Sequence, residues 1–218
     1  MEIFFINSEN FKLKDTQNFS TKFSSEKRKT QHILGRFLVK YAAKNYYKIS
    51  DTEIEIKNNK PQFIQNSINF SITHSKNIVM AVFDKNPVGI DVEYMKPRDF
   101  EKIFKHYNIE IKNPSKETFY RFWTEYEAQI KLQQTVKSSF SAEFPQGFIM
   151  SAASNQSLDI KKMLKIYEVK SPIKSTKPIE LISLNPVSES SINENTLVIQ
   201  DINTASLTCF EPLNLKIE

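Results

Sequence analysis

The sequence predicts an α+β fold, on three observations. Apolar runs of strand length recur along the chain and are separated by polar turns. Between them lie segments whose apolar residues fall at helical spacing. The order is a strand, a helix and several strands, then helices and several strands, so two α+β halves follow one another with a soft boundary near 95–100. That divides the chain into 1–97 and 98–218. A chain of 218 residues, 39% of them hydrophobic and 12% aromatic, is large enough to bury a core.

The elements follow in order. EIFFI (2–6) reads as a first strand. From Ser24 to about Asn45 the positions Ile33, Leu34, Phe37, Leu38, Tyr41 and Ala42 form one apolar helical stripe. SDTEIEIKNNKPQF opens with a turn or capping signal at Ser50 to Glu53 and closes at Lys60-Pro61. INFSI (68–72), NIVMAVF (77–83) and VGIDVE (88–93) are joined by short turns, as in an antiparallel meander. DFEKIFKHY (99–107) is a short helix. NPSKETFYRFWTEYEAQIKLQQ (113–134) is a longer one, with Ser115 as its N-cap and Phe119, Phe122, Trp123, Tyr126 and Ile130 as its buried stripe. KIYEV, IELISL, TLVIQ and SLTCF are strands, and 185–196 is a flexible loop.

Composition narrows the function. No apolar run approaches the roughly 20 residues that cross a bilayer. The start, MEIFFINSENFK, is a poor signal peptide, and the single Cys209 has no internal disulfide partner; both point to the cytoplasm. Thirty basic against 25 acidic residues give a net charge of +5, which suits an anionic ligand, an acidic protein or nucleic acid alike.

The stretch VGIDVE carries the first candidate chemistry. In a strand, successive side chains alternate between faces. Val88, Ile90 and Val92 therefore share a core face, and Gly89, Asp91 and Glu93 share the other. Two carboxylates side by side repel, and a cation relieves that repulsion. On the second helix Trp123, Glu127 and Lys131 stand four apart and line one side. Taken alone, Glu127 and Lys131 read as a surface ion pair.

Placed together, VGIDVE and FWTEYEAQIK resemble the two-part signature of the 4′-phosphopantetheinyl transferases, Gly-Ile/Val-Asp followed by Trp-x-x-Lys-Glu-Ala-x-x-Lys. Upstream, Asn69-Phe70-Ser71-Ile72-Thr73-His74-Ser75 resembles the family's Ser-His-Ser strand, and Lys60-Pro61 its Lys-Pro element. The resemblance spans roughly residues 28–132. The chain length is similar to the Sfp-type, single-chain members. It implies two similar α/β halves related by a pseudo-two-fold, each an antiparallel sheet packed with helices.

The resemblance also implies the activity: Mg2+-dependent transfer of the 4′-phosphopantetheine arm of coenzyme A to a serine of an acyl or peptidyl carrier protein, with release of 3′,5′-ADP. It implies that Asp91, Glu93 and Glu127 hold the metal, with Gly89 leaving room for the pyrophosphate. Glu127 would also be the base, directly or through a bound water, and Lys131 would contact phosphate. The 3′-phosphate of coenzyme A would fall to Thr73 and His74, with Lys60 nearby and Arg28 and Arg36 as further contributors. His32 and His106 read as structural or solvent-facing. A monomer is expected.

Tyr126 stands where the family carries a lysine. Only 31 residues separate Asp91 from Trp123, fewer than expected for this type, and no glycine-rich segment follows Lys131. Two alternatives stay open. One is a non-catalytic relative that binds coenzyme A or a carrier protein. The other is a Mg2+-dependent nuclease built on Asp51 and the Glu55-Ile56-Lys57 element.

Overall fold

A computed structural model describes residues 1–15, 25–107, 109, 115–157, 159–170, 179–185, 189–191 and 197–210. Its core is a mixed α+β arrangement in four layers. The first layer is α1 (Glu26–Asn45), which starts at Ser25, whose hydroxyl accepts from the Arg28 amide. Beneath it lies a five-stranded sheet. Its strands, in spatial order, are β13 (Val198–Ile202), β10 (Lys165–Lys170), β1 (Glu2–Asn7), β6 (Ile78–Asp84) and β5 (Asn69–Ser75).

Under that sheet lies a second one: β14 (Thr208–Phe210), β8 (Ser138–Glu143), β9 (Phe148–Ser154) and β7 (Val88–Tyr94). The outer layer is α3 (Lys116–Leu132), capped by Ser115 as its sequence predicts. The short α2 (Phe100–His106) leans on α3 through Phe104, Phe119 and Phe122. A further short helix, α4 (Ile160–Met163), precedes β10.

Alternation explains the layering. Phe4, Ile6, Val79, Ala81 and Phe83 meet α1 through Leu34, Phe37, Leu38, Tyr41 and Ala42. Ile3, Phe5, Met80 and Val82 point the other way, onto Val88, Ile90, Val92, Phe140, Met150 and Ala152 of the second sheet. β6 and β9 are buried along their whole length, so both faces carry apolar or small residues.

Within each of the segments 1–97 and 98–218, every described strand pair is antiparallel. The segments interleave. β1 pairs with β10 in parallel, and β2 (Phe11–Asp15) pairs in parallel with β11 (Ile179–Asn185). β7 pairs antiparallel with β9. Parallel neighbours need long connections, and the rest of the chain supplies them.

Several elements differ from expectation. β3 (Ile54–Lys57) and β4 (Lys60–Phe63) form a hairpin, β3 mostly exposed and β4 half-buried, whose turn, Asn58-Asn59, takes positive φ. β2, β8 and β9 are also strands that the sequence left unassigned; SSFSAE and FIMSAAS are rich in serine and alanine and lack the β-branched bias of a strand. In the expected loop 185–196, Glu189–Ser191 forms β12 beside β11, and 186–188 and 192–196 lie outside the described residues. Ile130 is 51% exposed rather than buried. Helix α3 instead buries Tyr120, Thr124, Ala128 and Leu132 against β7 and β9, and Phe119 and Phe122 towards α2.

Candidate active site

The site begins with an approach of backbone to backbone. A Cβ added at Gly89 would lie 2.0 Å from the Ala128 carbonyl oxygen and 2.7 Å from the Leu132 amide nitrogen. Gly89 therefore lets α3 settle directly on β7, and the space beside it is filled by the helix rather than left for a pyrophosphate. Thr124 and Ala128 are small enough to continue the contact. At the helix end, Gln133 adopts a left-handed conformation and its side-chain Nε2 donates to the Asn58 carbonyl on the β3–β4 turn (2.8 Å).

That packing brings Lys131 to Asp91. The ammonium donates to Oδ1 at 2.6 Å, with Asp91 buried and Lys131 partly open. The same Oδ1 accepts from the Thr73 hydroxyl at 2.8 Å. Asp91 Oδ2 is buried and has no hydrogen-bond partner among the described residues. Two residues on, Glu93 Oε2 accepts from the Ser75 hydroxyl at 2.6 Å. Burial pushes the Glu93 carboxyl above the ordinary value; the Ser75 hydrogen bond opposes that, and the Asp91 charge adds to it.

Glu127 is half-buried on α3, one turn before Lys131. Among the described residues no three acidic, histidine or cysteine side chains converge as a metal cage. The donor set nonetheless suits a hard cation: oxygens only, one of them buried and orphaned. Magnesium is commonly held by one or two carboxylates plus substrate phosphate.

Of the basic candidates, His74 is electrostatically coupled to this pair and Lys60 reaches the same strand. Lys60 reaches from the hairpin to donate to the Val88 carbonyl at 2.9 Å, and burial holds its ammonium below the ordinary pKa. His74 is open to solvent, yet crowding by its surroundings, and next the Lys131 charge, hold its imidazole below 6.5. Arg36 faces His32 one turn earlier on α1, and His32 in turn faces His74. Burial lowers both His32 and Arg36. Arg28, two turns before Arg36, is exposed in the first turn of α1.

Four features escaped the sequence. His32 joins the basic group, and its signal was the four-residue spacing from Arg36. Arg98 acts electrostatically on Glu93 and lies 5.9 Å from the Tyr120 ring centroid. Ser75 holds Glu93; Ser71, Thr73 and Ser75 alternate with Phe70, Ile72 and His74, a pattern legible in NFSITHS. A buried polar chain, Glu125 to Ser141 to Ser151 to Thr124 with each link 2.7 Å, ties α3 to β8 and β9. Tyr126, where a lysine was expected, turns its ring onto Phe122, Trp123 and Tyr107. On the hairpin Glu55 accepts from Gln62, and just before it Asp51 accepts from the Glu53 amide.

Fold and site together define an α+β protein in which strand carboxylates meet a helix lysine, with His74 and Lys60 close by. Over 133 residues the chain is 32% identical to a Haemophilus influenzae protein named provisionally as a 4′-phosphopantetheinyl transferase, which covers 55% of this chain and 56% of that one. It is 30% identical over 111 residues to a 4′-phosphopantetheinyl transferase of Bacillus subtilis, 45% of this chain and 50% of that one. It is 31% identical over 112 residues to the transferase psf-1 of Bacillus pumilus, 46% of this chain and 48% of that one. The chain spans about half the length of the curated relatives it matches. It matches no family-level sequence profile. Over the stretches matched, the chain is thus similar to proteins named as 4′-phosphopantetheinyl transferases.

Proposed function

We propose that this protein transfers the 4′-phosphopantetheine arm of coenzyme A to a serine hydroxyl of an acyl or peptidyl carrier protein. The observation that carries this is the buried, unpartnered Oδ2 of Asp91, held beside Glu93 and Lys131. The serine oxygen attacks the phosphorus next to pantetheine. The bond to the bridging pyrophosphate oxygen breaks, and 3′,5′-ADP leaves. Asp91 and Glu93 would hold Mg2+, with Glu127 as a third ligand by family resemblance. The ion would neutralise charge on the pyrophosphate.

The chain's own groups supply the rest. Glu127 takes the serine proton, and Lys131 turns from Asp91 towards the phosphates as negative charge develops there. His74 and Lys60 receive the 3′-phosphate, with Arg36 and Arg28 on the adjoining helix face. A cytoplasmic monomer belongs to the same proposal. Among the described residues no helix is long and apolar enough to cross a membrane.

Intact-protein mass spectrometry tests it. An apo carrier protein incubated with this protein, coenzyme A and Mg2+ gains one phosphopantetheine, and chelation of Mg2+ prevents the gain. Asp91→Ala or Glu127→Ala abolishes the gain while circular dichroism stays unchanged; turnover in either variant sinks the site assignment. Coenzyme A binding without transfer to any carrier favours the non-catalytic relative, which the packed ring of Tyr126 suits. Mg2+-dependent cleavage of DNA would instead favour the nuclease.

A further inference from the structure

The edges of the two sheets meet at this site. β5 ends one sheet and β7 ends the other, and the join is made by hydroxyls rather than by a backbone ladder. Thr73 Oγ1 accepts from the Val92 amide (3.3 Å) and donates to Asp91 Oδ1 (2.8 Å). Two residues along, Ser75 Oγ accepts from the Tyr94 amide (3.0 Å) and donates to Glu93 Oε2 (2.6 Å). The motif repeats with the strand's own period. It stops at Ser71, whose place in the series is Gly89, where there is no side chain to hold.

A hydroxyl has one proton. With an amide N–H directed at its oxygen, each of these hydroxyls sends that proton to the carboxylate. Thr73 is 3% exposed and Ser75 9%, so water competes little for either. We propose that Thr73 and Ser75 are positioning residues: each pins one oxygen of a carboxylate and leaves the other uncommitted for a ligand. At Asp91 the division is complete, because Oδ1 receives both Thr73 and Lys131 while Oδ2 receives nothing. The inference rests on the proposed transferase and gives Thr73 a duty other than the 3′-phosphate, since its single proton is already committed.

Thr73→Val keeps the side-chain shape and removes the donor. The test compares the full-length wild type, Thr73→Val and Thr73→Ser for Mn2+ binding, read by electron paramagnetic resonance. It also compares transfer kinetics with coenzyme A and with 3′-dephospho-coenzyme A. Partners that orient metal ligands are worth about 10–100-fold in metal affinity or activity. Thr73→Val is expected to weaken Mn2+ binding by about that factor and to lower kcat, while the preference for coenzyme A over its dephospho form is kept. Thr73→Ser restores both.

If Mn2+ affinity is unchanged and the preference for coenzyme A disappears, Thr73 serves the 3′-phosphate and the inference is overturned. If the wild type itself binds no Mn2+, the metal assignment of the proposed function fails and this inference falls with it. Should Thr73→Val not fold, Ser75→Ala carries the same test at Glu93, and unchanged Mn2+ binding there overturns the proposal equally.

Discussion

Helices α1 and α3 each cover a sheet next to a glycine, and they do so differently. Under α1 the contact is made by large side chains, Leu34, Phe37 and Tyr41 over Phe4, Phe83 and Tyr167. A Cβ added at Gly35 would lie 2.9 Å from the branch methyl of Ile72, a side-chain atom rather than backbone. Under α3 the glycine is on the strand, and its neighbours are backbone atoms of Ala128 and Leu132. Side chains can repack, whereas a helix backbone moves only as a unit. The polar pair of the site lies at the second seam, where a short reach for Lys131 depends on the separation of helix and strand.

The sharpest way to break this contrast is an alanine at each glycine. Gly89→Ala is expected to cost about 3 kcal/mol or more in urea unfolding, because overpacking here displaces backbone. It should also abolish transfer by moving Lys131 away from Asp91. Gly35→Ala is expected to cost less than Gly89→Ala, since the helix gains about 1 kcal/mol from losing a glycine and only a side-chain methyl of Ile72 must give by a few tenths of an ångström. Equal losses would mean that the two seams are alike.

A second comparison stays within α3. Leu132→Ala removes a fully buried side chain from the seam and is expected to cost about 2–5 kcal/mol. Ile130→Ala, on the exposed side, is expected to cost under about 0.5 kcal/mol. Chemical denaturation of both variants orients the helix, and a large loss at Ile130 would turn it the other way.

The smallest effect concerns His74. His74 is expected to titrate below 6.5 by NMR, burial being the larger cause and Lys131 the next, with Asp91 and His32 also facing it. Lys131→Met should raise the midpoint without restoring 6.5. A depressed imidazole takes up its proton later in the folded state than in the unfolded one. Its contribution to stability is therefore full above 6.5 and is lost as pH falls from there through the folded value. His74→Gln should flatten that decline, and a His74 midpoint at or above 6.5 would mean that neither its surroundings nor Lys131 disfavours the charged imidazole.

Much of the site was legible in the sequence, because period-two alternation alone puts Asp91 and Glu93 on one face of β7 and the valines on the other. Ser115, as a hydroxyl before a run of helix formers, marked the start of α3. Ile130 was misplaced because helical spacing gives a stripe without saying which side a neighbour covers. β8 and β9 were missed because a strand buried under a closely packed helix needs small residues, and SSFSAE and FIMSAAS do not look like strands until the helix is there.

The sequence by itself determined which residues share a face, where the helices start, and which motif the chain carries, since all of these follow from local geometry. Only the tertiary structure decided that Gly89 is a seat for α3, that the proton of Thr73 goes to Asp91, and that Lys131 closes the pair. Each depends on atoms far apart in the chain, 40 residues for Lys131 and Asp91, and no local periodicity encodes the distance between two packed backbones.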